Sequence, residues 1–247
     1  MDKVSNITVI TGAAGGLGKE MVRKIVSAGY VVVMLDLQEE SLKIFRNSFS
    51  EKEQGRIYYY ATDITDSRCV EDVFLTIESN IGPIRYLINS AGIDYQTGIF
   101  ETTDEIWEKT LRVNLMGTFI VCRTACRYMI ERKEGTVVNI SSRMGVCGFA
   151  GDIAYSAAKG GVIAFTRSLA AELGEHNIAV NCIAPGVFIT EMSTDLREGE
   201  MAQKKLSQMV IKRFGEPTEV ADAIWFLMHQ TYLTGHTLHL NGGSYMN

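Results

Sequence analysis

The stretch from Ile7 to Asp36, ITVITGAAGGLGKEMVRKIVSAGYVVVMLD, decides how the rest of the chain is read. Ile7 to Ile10 (ITVI), three apolar residues around Thr8, make a short buried strand. Gly12, Gly16 and Gly18 break it and open a helix with Met21, Val22, Ile25 and Val26 on one side, the helical spacing of a face turned to a core. Gly29 ends that helix at a left-handed position, and Val31 to Leu35 forms a second strand closed by Asp36. Strand, glycine turn, helix, strand and acid make a dinucleotide-binding unit. The glycines allow a tight turn, let backbone approach a pyrophosphate, and let helix pack on strand. The helix N-terminus offers N–H groups and a positive dipole end to that pyrophosphate. Asp36, 18 residues beyond Gly18, stands near the spacing of a ribose-binding acid.

The alternation continues outward from this unit. Leu42 to Gly55 reads as helix and loop, and Ile57 to Ala61 (IYYYA) as a strand whose tyrosines serve packing. Asp63 then sits at a strand's carboxyl end, where ligands bind in such sheets. Asp66 is the expected N-cap of a helix bearing Val70, Val73, Phe74 and Ile77. Ile84 to Ile88 is a fourth strand running into Asn89–Gly92 (NSAG). A long helix from Asp104 to Lys133 is expected to bend or break near Asn114. Thr136 to Ile140 and Ile178 to Ile183 are the fifth and sixth strands, the latter ended by Pro185-Gly186. Residues 188–214, polar and Met-rich between Pro185 and Pro217, are expected to form a mobile lid. A helix over Val220–Met228 and a strand over Leu238–Leu240 follow. With no linker or repeat, the pattern predicts one α/β domain over residues 1–247, a Rossmann-type, doubly wound parallel sheet with helices on both faces.

Composition excludes several classes. The 247 residues are 46% hydrophobic and 21% charged, as in a soluble globular protein. A net charge of −5 argues against a nucleic-acid binder. No apolar run is long enough to span a membrane, and the N-terminus lacks a signal-peptide pattern. Five scattered cysteines suit a reducing cytoplasm. The four histidines form no metal-binding cluster, so no metal is expected.

The chemistry is read from Val137 to Phe165, VVNISSRMGVCGFAGDIAYSAAKGGVIAF. Tyr155 and Lys159 lie four apart, so on a helix they share a face. A neighbouring cation favours the phenolate. Moving a phenol from about 10 to about 7 takes roughly 4 kcal/mol, and one charge at about 4 Å in an effective dielectric of about 20 supplies that. Taken alone, the pair fits an ordinary surface pair better than a catalytic one.

These motifs resemble the short-chain dehydrogenases/reductases, over essentially the whole chain. TGAAGGLG matches that family's glycine motif, NSAG its NNAG, and VNLMG the segment of its catalytic asparagine. Ser142 precedes Tyr155 of YSAAK by the family's 13 residues, and PGVFIT and LTGHTLHLNGG resemble its later motifs. The tail is most similar to that of the 3-oxoacyl-(acyl-carrier-protein) reductases. The resemblance implies Tyr155 as general acid/base and Lys159 as the residue that lowers its pKa and binds the nicotinamide ribose. Ser142 then holds the substrate oxygen and Asn114 anchors a proton-relay water. It also implies cofactor contacts from Gly12, Gly16, Leu17, Gly18, Asp36, Leu37, Asp63, Ile64, Asn89, Ala91, Gly92, Pro185, Gly186, Phe188 and Thr190. Asn89 equally suits a structural tie between strands. Ser141 competes with Ser142 for the serine role; the 13-residue spacing selects Ser142.

NADP-preferring relatives carry a basic residue in the glycine motif or after the second strand. This chain has Ala14, Gly15 and Leu37 there, beside Asp36. The extra phosphate of NADP, about −1.5 to −2 charges, would meet a carboxylate and no arginine. NAD is therefore the expected cofactor. The expected activity is reversible hydride transfer between a secondary alcohol and a ketone. Reduction of 3-oxoacyl-(acyl-carrier-protein) and a non-catalytic cofactor-binding regulator are the alternatives. Substrate contacts are expected from Ser142, Met144, Tyr155 and Phe188. Further pocket candidates are Asp94, Tyr95 and Gln96, Arg143 to Phe149, Ile189 and Met192. Arg143 either holds an anionic substrate or points away from the pocket. By resemblance, the assembly is a homotetramer or dimer.

Overall fold

The computed structural model describes residues 7–189 and 199–246. Seven parallel strands form one sheet in the order β3-β2-β1-β4-β5-β6-β7: β1 (Ile7–Thr11), β2 (Val31–Asp36), β3 (Ile57–Ala61), β4 (Ile84–Asn89), β5 (Gly135–Ile140), β6 (Ile178–Pro185) and β7 (Thr237–Leu240). The chain winds outward from β1 in one direction and from β4 in the other. The β1/β4 boundary is thus the switch point where such sheets open a crevice at their carboxyl edge. Continuous apolar runs such as VVVML are buried on both faces because helices cover both.

On one face pack α1 (Gly16–Ser27), α2 (Glu39–Asn47) and α10 (Pro217–Met228), burying Met21, Ile25, Leu42, Ile224 and Leu227. The other face takes α4 (Ser67–Asn80), α6 (Thr118–Arg132) and α8 (Ile153–Leu173), with Phe74, Ile77, Val121, Met129 and Leu173. Asp66 caps α4 as its sequence position predicts, its side chain accepting the N–H groups of Arg68 and Cys69. The expected helix and loop between β2 and β3 is two helices, α2 and α3 (Glu51–Gln54). Ser50 and Glu53 close a capping box at the start of α3.

The break near Asn114 is a π turn. α5 (Asp104–Leu111) runs into it at Arg112–Gly117, and α6 continues beyond. The Asn114 carbonyl accepts the Thr118 hydroxyl at 2.9 Å. Asn114 itself is fully buried, and its amide clamps the Ile93 backbone, donating to the carbonyl at 2.8 Å and accepting the N–H at 3.0 Å.

One polar residue inside an apolar strand ties four elements. Asn139 of β5 accepts Asn89 Nδ2 at 2.9 Å and donates to Thr166 Oγ1 of α8 at 3.0 Å. The Cys122 thiol of α6 lies at 3.7 Å from its oxygen. Asn139→Ala strands two buried partners, each costing about 1–3 kcal/mol. The expected loss is about 2–4 kcal/mol, a fall in Tm of roughly 5–15 °C. Thermal unfolding tests it; an unchanged Tm would show that the network carries no stability.

Candidate active site

The glycine turn and the NSAG segment close on each other at the switch point. The Thr11 hydroxyl accepts the N–H groups of Ser90 and Ala91 at 3.1 and 3.3 Å. Gly12 has φ of +66°, and a Cβ there would meet the Ala91 backbone at 2.7 Å, so only glycine fits. A Cβ on Gly18 would strike the Gly12 carbonyl at 2.2 Å, which is the close helix–turn packing expected of it. Gly15, at the start of α1, gives the helix no side-chain cap, and no acid stands in the first turn. The cradle thus presents bare backbone N–H groups and a dipole end, a fit to a pyrophosphate. Asp36 sits at the carboxyl end of β2, its Oδ2 accepting the Ala14 N–H at 3.1 Å. Leu37 beside it is 69% exposed. Asp63, at the end of β3, spends Oδ1 on the N–H and hydroxyl of Thr65, each at 2.8 Å.

The reacting groups gather beyond β5. The Ser142 hydroxyl accepts the Met144 N–H at 3.1 Å and acts on the nearby Tyr155 phenol in the sense that favours its ionised form. Ser142 lies ahead of α7 (Met144–Cys147), a single turn in what reads from sequence as a loop. Ser141 is 2% exposed and its hydroxyl donates to the Lys159 carbonyl at 2.8 Å, so it secures α8 and leaves Ser142 to face the phenol. Lys159 lies within α8, 3% exposed, with Nζ donating to the Ile140 carbonyl at 2.8 Å and standing 5.6 Å from the Tyr155 ring centroid. Asn114 reaches the same place through Ile93 and Gly92: a Cβ on Gly92 would meet Asn114 Oδ1 at 2.5 Å and Lys159 Nζ at 3.4 Å.

Burial, followed by the negative charge of Asp94, holds the Tyr155 phenol above its ordinary value, with Ser142 acting in the opposite sense. Burial lowers Lys159 to about 8. Asp152, just ahead of α8, is raised to about 7 by burial, then by the charge of Asp94 and a hydrogen bond with it, with Lys205 opposing. The sign follows from linkage. Between the ordinary value of 3.8 and about 7, the folded chain keeps a proton that the unfolded chain has lost, so stability falls as pH rises through that window. Asp152→Asn escapes this cost. Its Tm advantage over the unaltered chain is expected to widen by several degrees between about pH 4 and pH 8, at about 2–4 °C per kcal/mol. Thermal melts across pH test this, and a gap independent of pH overturns it.

Other expected contacts fall differently. Asn89 is 4% exposed and bonded to Asn139 and Cys122, so its side chain ties strands and does not line the crevice. The Ile64 side chain is buried against Gly117, which leaves only its backbone near the crevice. Phe188 also turns inward: its ring packs on Gly215, to which its backbone bridges, and not into the substrate space. Pro185 and Gly186 lie at the end of β6, where the Pro185 carbonyl accepts the Arg143 N–H at 2.9 Å. Arg143 is 7% exposed with its guanidinium over the Phe149 ring at 5.7 Å. Of the expected lid, α9 (Glu200–Ser207) is described; Thr190 and Met192 lie outside the described residues.

Comparison with known proteins places this geometry. Residues 6–201 match the family profile described as short chain dehydrogenase. The 3-oxoacyl-(acyl-carrier-protein) reductase of Aquifex aeolicus is 35% identical over 97% of each chain. Carbonyl reductase family member 4 of Xenopus laevis is 34% identical over 97% of this chain and 98% of its own. Among solved structures, gox2181 superposes with a TM-score of 0.92 at 28% identity, covering 98% of this chain and 96% of that one. ElxO with NADP bound superposes at 0.91 with 30% identity, over 98% and 99%.

Proposed function

The chain belongs to the short chain dehydrogenase family of oxidoreductases, and on that premise we propose that it interconverts a secondary alcohol and a ketone with NAD(H), Tyr155 serving as general acid and base. The carrying observation is the buried Lys159, its Nζ 5.6 Å from the Tyr155 ring centroid with Ser142 acting on the same phenol, at the same sheet edge as the glycine cradle. When bound, the nicotinamide cofactor takes or gives the hydride, and in its oxidised form brings a positive ring charge to the site. Tyr155 moves the carbinol proton through its hydroxyl. Ser142 acts on that hydroxyl and holds the substrate oxygen in line with it. Lys159, kept at the Ile140 carbonyl and lowered to about 8, is poised to exchange a proton near neutral pH. Asn114 positions the Ile93 backbone that walls this corner.

NAD over NADP is supported by Asp36 and the absence of a basic residue at Gly15 or Leu37, although ElxO carries NADP. The acyl-carrier alternative has the relatives' names in its favour. Against it stands the engagement of Arg132, whose guanidinium pairs with Glu78 at 2.8 and 3.0 Å and with the Ile84 carbonyl at 2.8 Å. That removes one of the two cations at this helix end from a carrier-protein surface. A non-catalytic regulator would have no use for Tyr155 and Lys159 together. Following NADH absorbance with a panel of ketones and alcohols tests the reading; cofactor binding without turnover of any would favour the regulator. Assembly as a homotetramer or dimer is supported by the exposed Trp107, Met116 and Phe119 along α5, the π turn and α6, and by Phe226 and Tyr232 near the C-terminus. Five unpaired thiols support a reducing, cytoplasmic setting.

A further inference from the structure

We propose that Arg143, with Lys205 at its rim, is the recognition end of the substrate site and selects an oxo acid, or the matching hydroxy acid, by its carboxylate. This rests on the oxidoreductase reading and deepens it by naming the substrate class. Arg143 directly follows Ser142, and its backbone is tied on both sides. Its N–H donates to the Pro185 carbonyl at 2.9 Å, and its carbonyl accepts the N–H groups of Val146 and Cys147 at 3.0 and 3.1 Å. The turn that follows is pressed on α8: a Cβ on Gly145 would meet the Lys159 backbone at 2.5 Å. The side chain therefore starts from a rigid point next to the serine of the reaction.

Arg143 is 7% exposed, yet its guanidinium makes no hydrogen bond or ion pair among the described residues. It lies over the Phe149 ring, 5.7 Å from the centroid. A ring face attracts a cation weakly compared with the cost of taking that cation out of water, and it occupies none of the five N–H donors in hydrogen bonds to oxygen. Buried charges are normally paired, so an unpaired guanidinium beside the reacting serine calls for an anion brought by the ligand. Lys205 of α9 approaches the same ring, its Nζ 6.0 Å from the centroid, and its ammonium likewise has no ion pair among the described residues. Two cations thus converge on one aromatic from separate parts of the chain, one from the turn after β5 and one from the helix of the expected lid.

The charges present narrow the anion. The guanidinium fork matches the two oxygens of a carboxylate. A phosphate monoester brings about −1.5 to −2 charges, and its second charge would depend on Lys205, which already faces the Asp152 carboxyl. An ammonium would meet Arg143 and Lys205 together. A neutral ketone would leave the guanidinium buried and unpaired, and sites built around such a polar group reject the analogue that lacks its partner.

The test uses pyruvate, acetoacetate and levulinate, which set the carboxylate at increasing distance from the ketone, each against its uncharged methyl ester. All are assayed with NADH on the full chain, with dihydroxyacetone phosphate against dihydroxyacetone as the phosphate arm. Calorimetric titration of the NAD-saturated protein with each acid and ester is run alongside. At least one acid is expected to exceed its ester by about 10- to 100-fold in kcat/KM. Arg143→Met should cut that ratio at least about tenfold, mainly by raising KM for the acid, and Arg143→Lys should recover part of it. Lys205→Gln, at a half-exposed position, should cut it about two- to fivefold. NADH binding by each variant verifies that it is folded. The acid-to-ester ratio of the unaltered chain and the Lys205→Gln result stand whether or not Arg143→Met folds. Esters turned over as well as their acids, or an acid preference unmoved in Arg143→Met, overturn the inference and leave the oxidoreductase reading intact. Dihydroxyacetone phosphate exceeding every oxo acid overturns the carboxylate choice. Arg143-dependent binding of an acid over its ester with no turnover of any ketone overturns the oxidoreductase reading and upholds the anion site. Neither binding nor turnover overturns both.

Discussion

Replacing Tyr155 with Phe is expected to lower kcat by about 10³-fold, inside the range of about 10²–10⁴ for a positioned acid–base group, while the NADH dissociation constant changes less than about threefold. The substitution removes one oxygen and little else. The ring remains in α8 within 5.6 Å of Lys159 Nζ, and Lys159 keeps its bond to the Ile140 carbonyl, which does not depend on the phenol. Ser142 retains the Met144 N–H. On the proposed reading the glycine cradle and Asp36, at the ends of other strands, hold the cofactor, so the loss should appear in turnover and spare cofactor affinity. Steady-state kinetics and a fluorescence titration with NADH separate the two quantities. Near-normal kcat in Tyr155→Phe would remove this tyrosine from the reaction.

The second large effect concerns the cofactor. The unaltered chain is expected to favour NAD over NADP by about 10²-fold in kcat/KM. A carboxylate about 5 Å from a phosphate charge in an effective dielectric of about 20 costs about 3 kcal/mol, or about two decades in rate. The carboxylate cannot simply swing aside, because Oδ2 is held by the Ala14 N–H at 3.1 Å and Oδ1 lies 3.4 Å from the Gln38 N–H. Changing Asp36→Ala together with Leu37→Arg is expected to reverse the preference. Leu37 is 69% exposed, so an arginine there displaces no packing and can pair with a phosphate bidentately. The double variant should also lose activity with NAD, since the Ala14 N–H loses its acceptor and the glycine turn its tether. Measuring kcat/KM with both cofactors settles it; NADP equal to or better than NAD in the unaltered chain defeats the argument.

The sheet was legible because its strands are short, continuous apolar runs bounded by glycine or polar residues, and Ile57–Ala61 even matches at both ends. The glycine cradle was legible for a related reason: its spacing is dictated by backbone contacts that admit no Cβ. What depends on side chains meeting across the fold was not legible. Phe188 reads from sequence as a pocket residue, and only the approach of Gly215 turns its ring inward. The bond between Asp94 and Asp152 joins residues 58 positions apart with no periodicity to mark it. Asn139 did leave a trace, as the one amide in the run VVNI, where a polar side chain must find partners. The i, i+4 rule counts the neighbouring lysine and omits burial, the largest influence on the Tyr155 phenol in the fold.

The π turn at Arg112–Gly117 also sets a phase. Each residue of an α-helix advances the azimuth by about 100°, so the additional residue lets α5 and α6 present unrelated faces although they are nearly continuous. α5 buries little besides Thr110, whereas α6 buries Ile120, Val121, Cys122, Ala125 and Met129 against the sheet. Removing a single residue here would heal the turn into an ordinary helix and rotate one half against the other by about a quarter turn. Either the core stripe of α6 or the Asn114 clamp on Ile93 would then face the wrong way. In a surface loop the same deletion would pass almost unnoticed; at this point chain length is itself part of the active-site geometry.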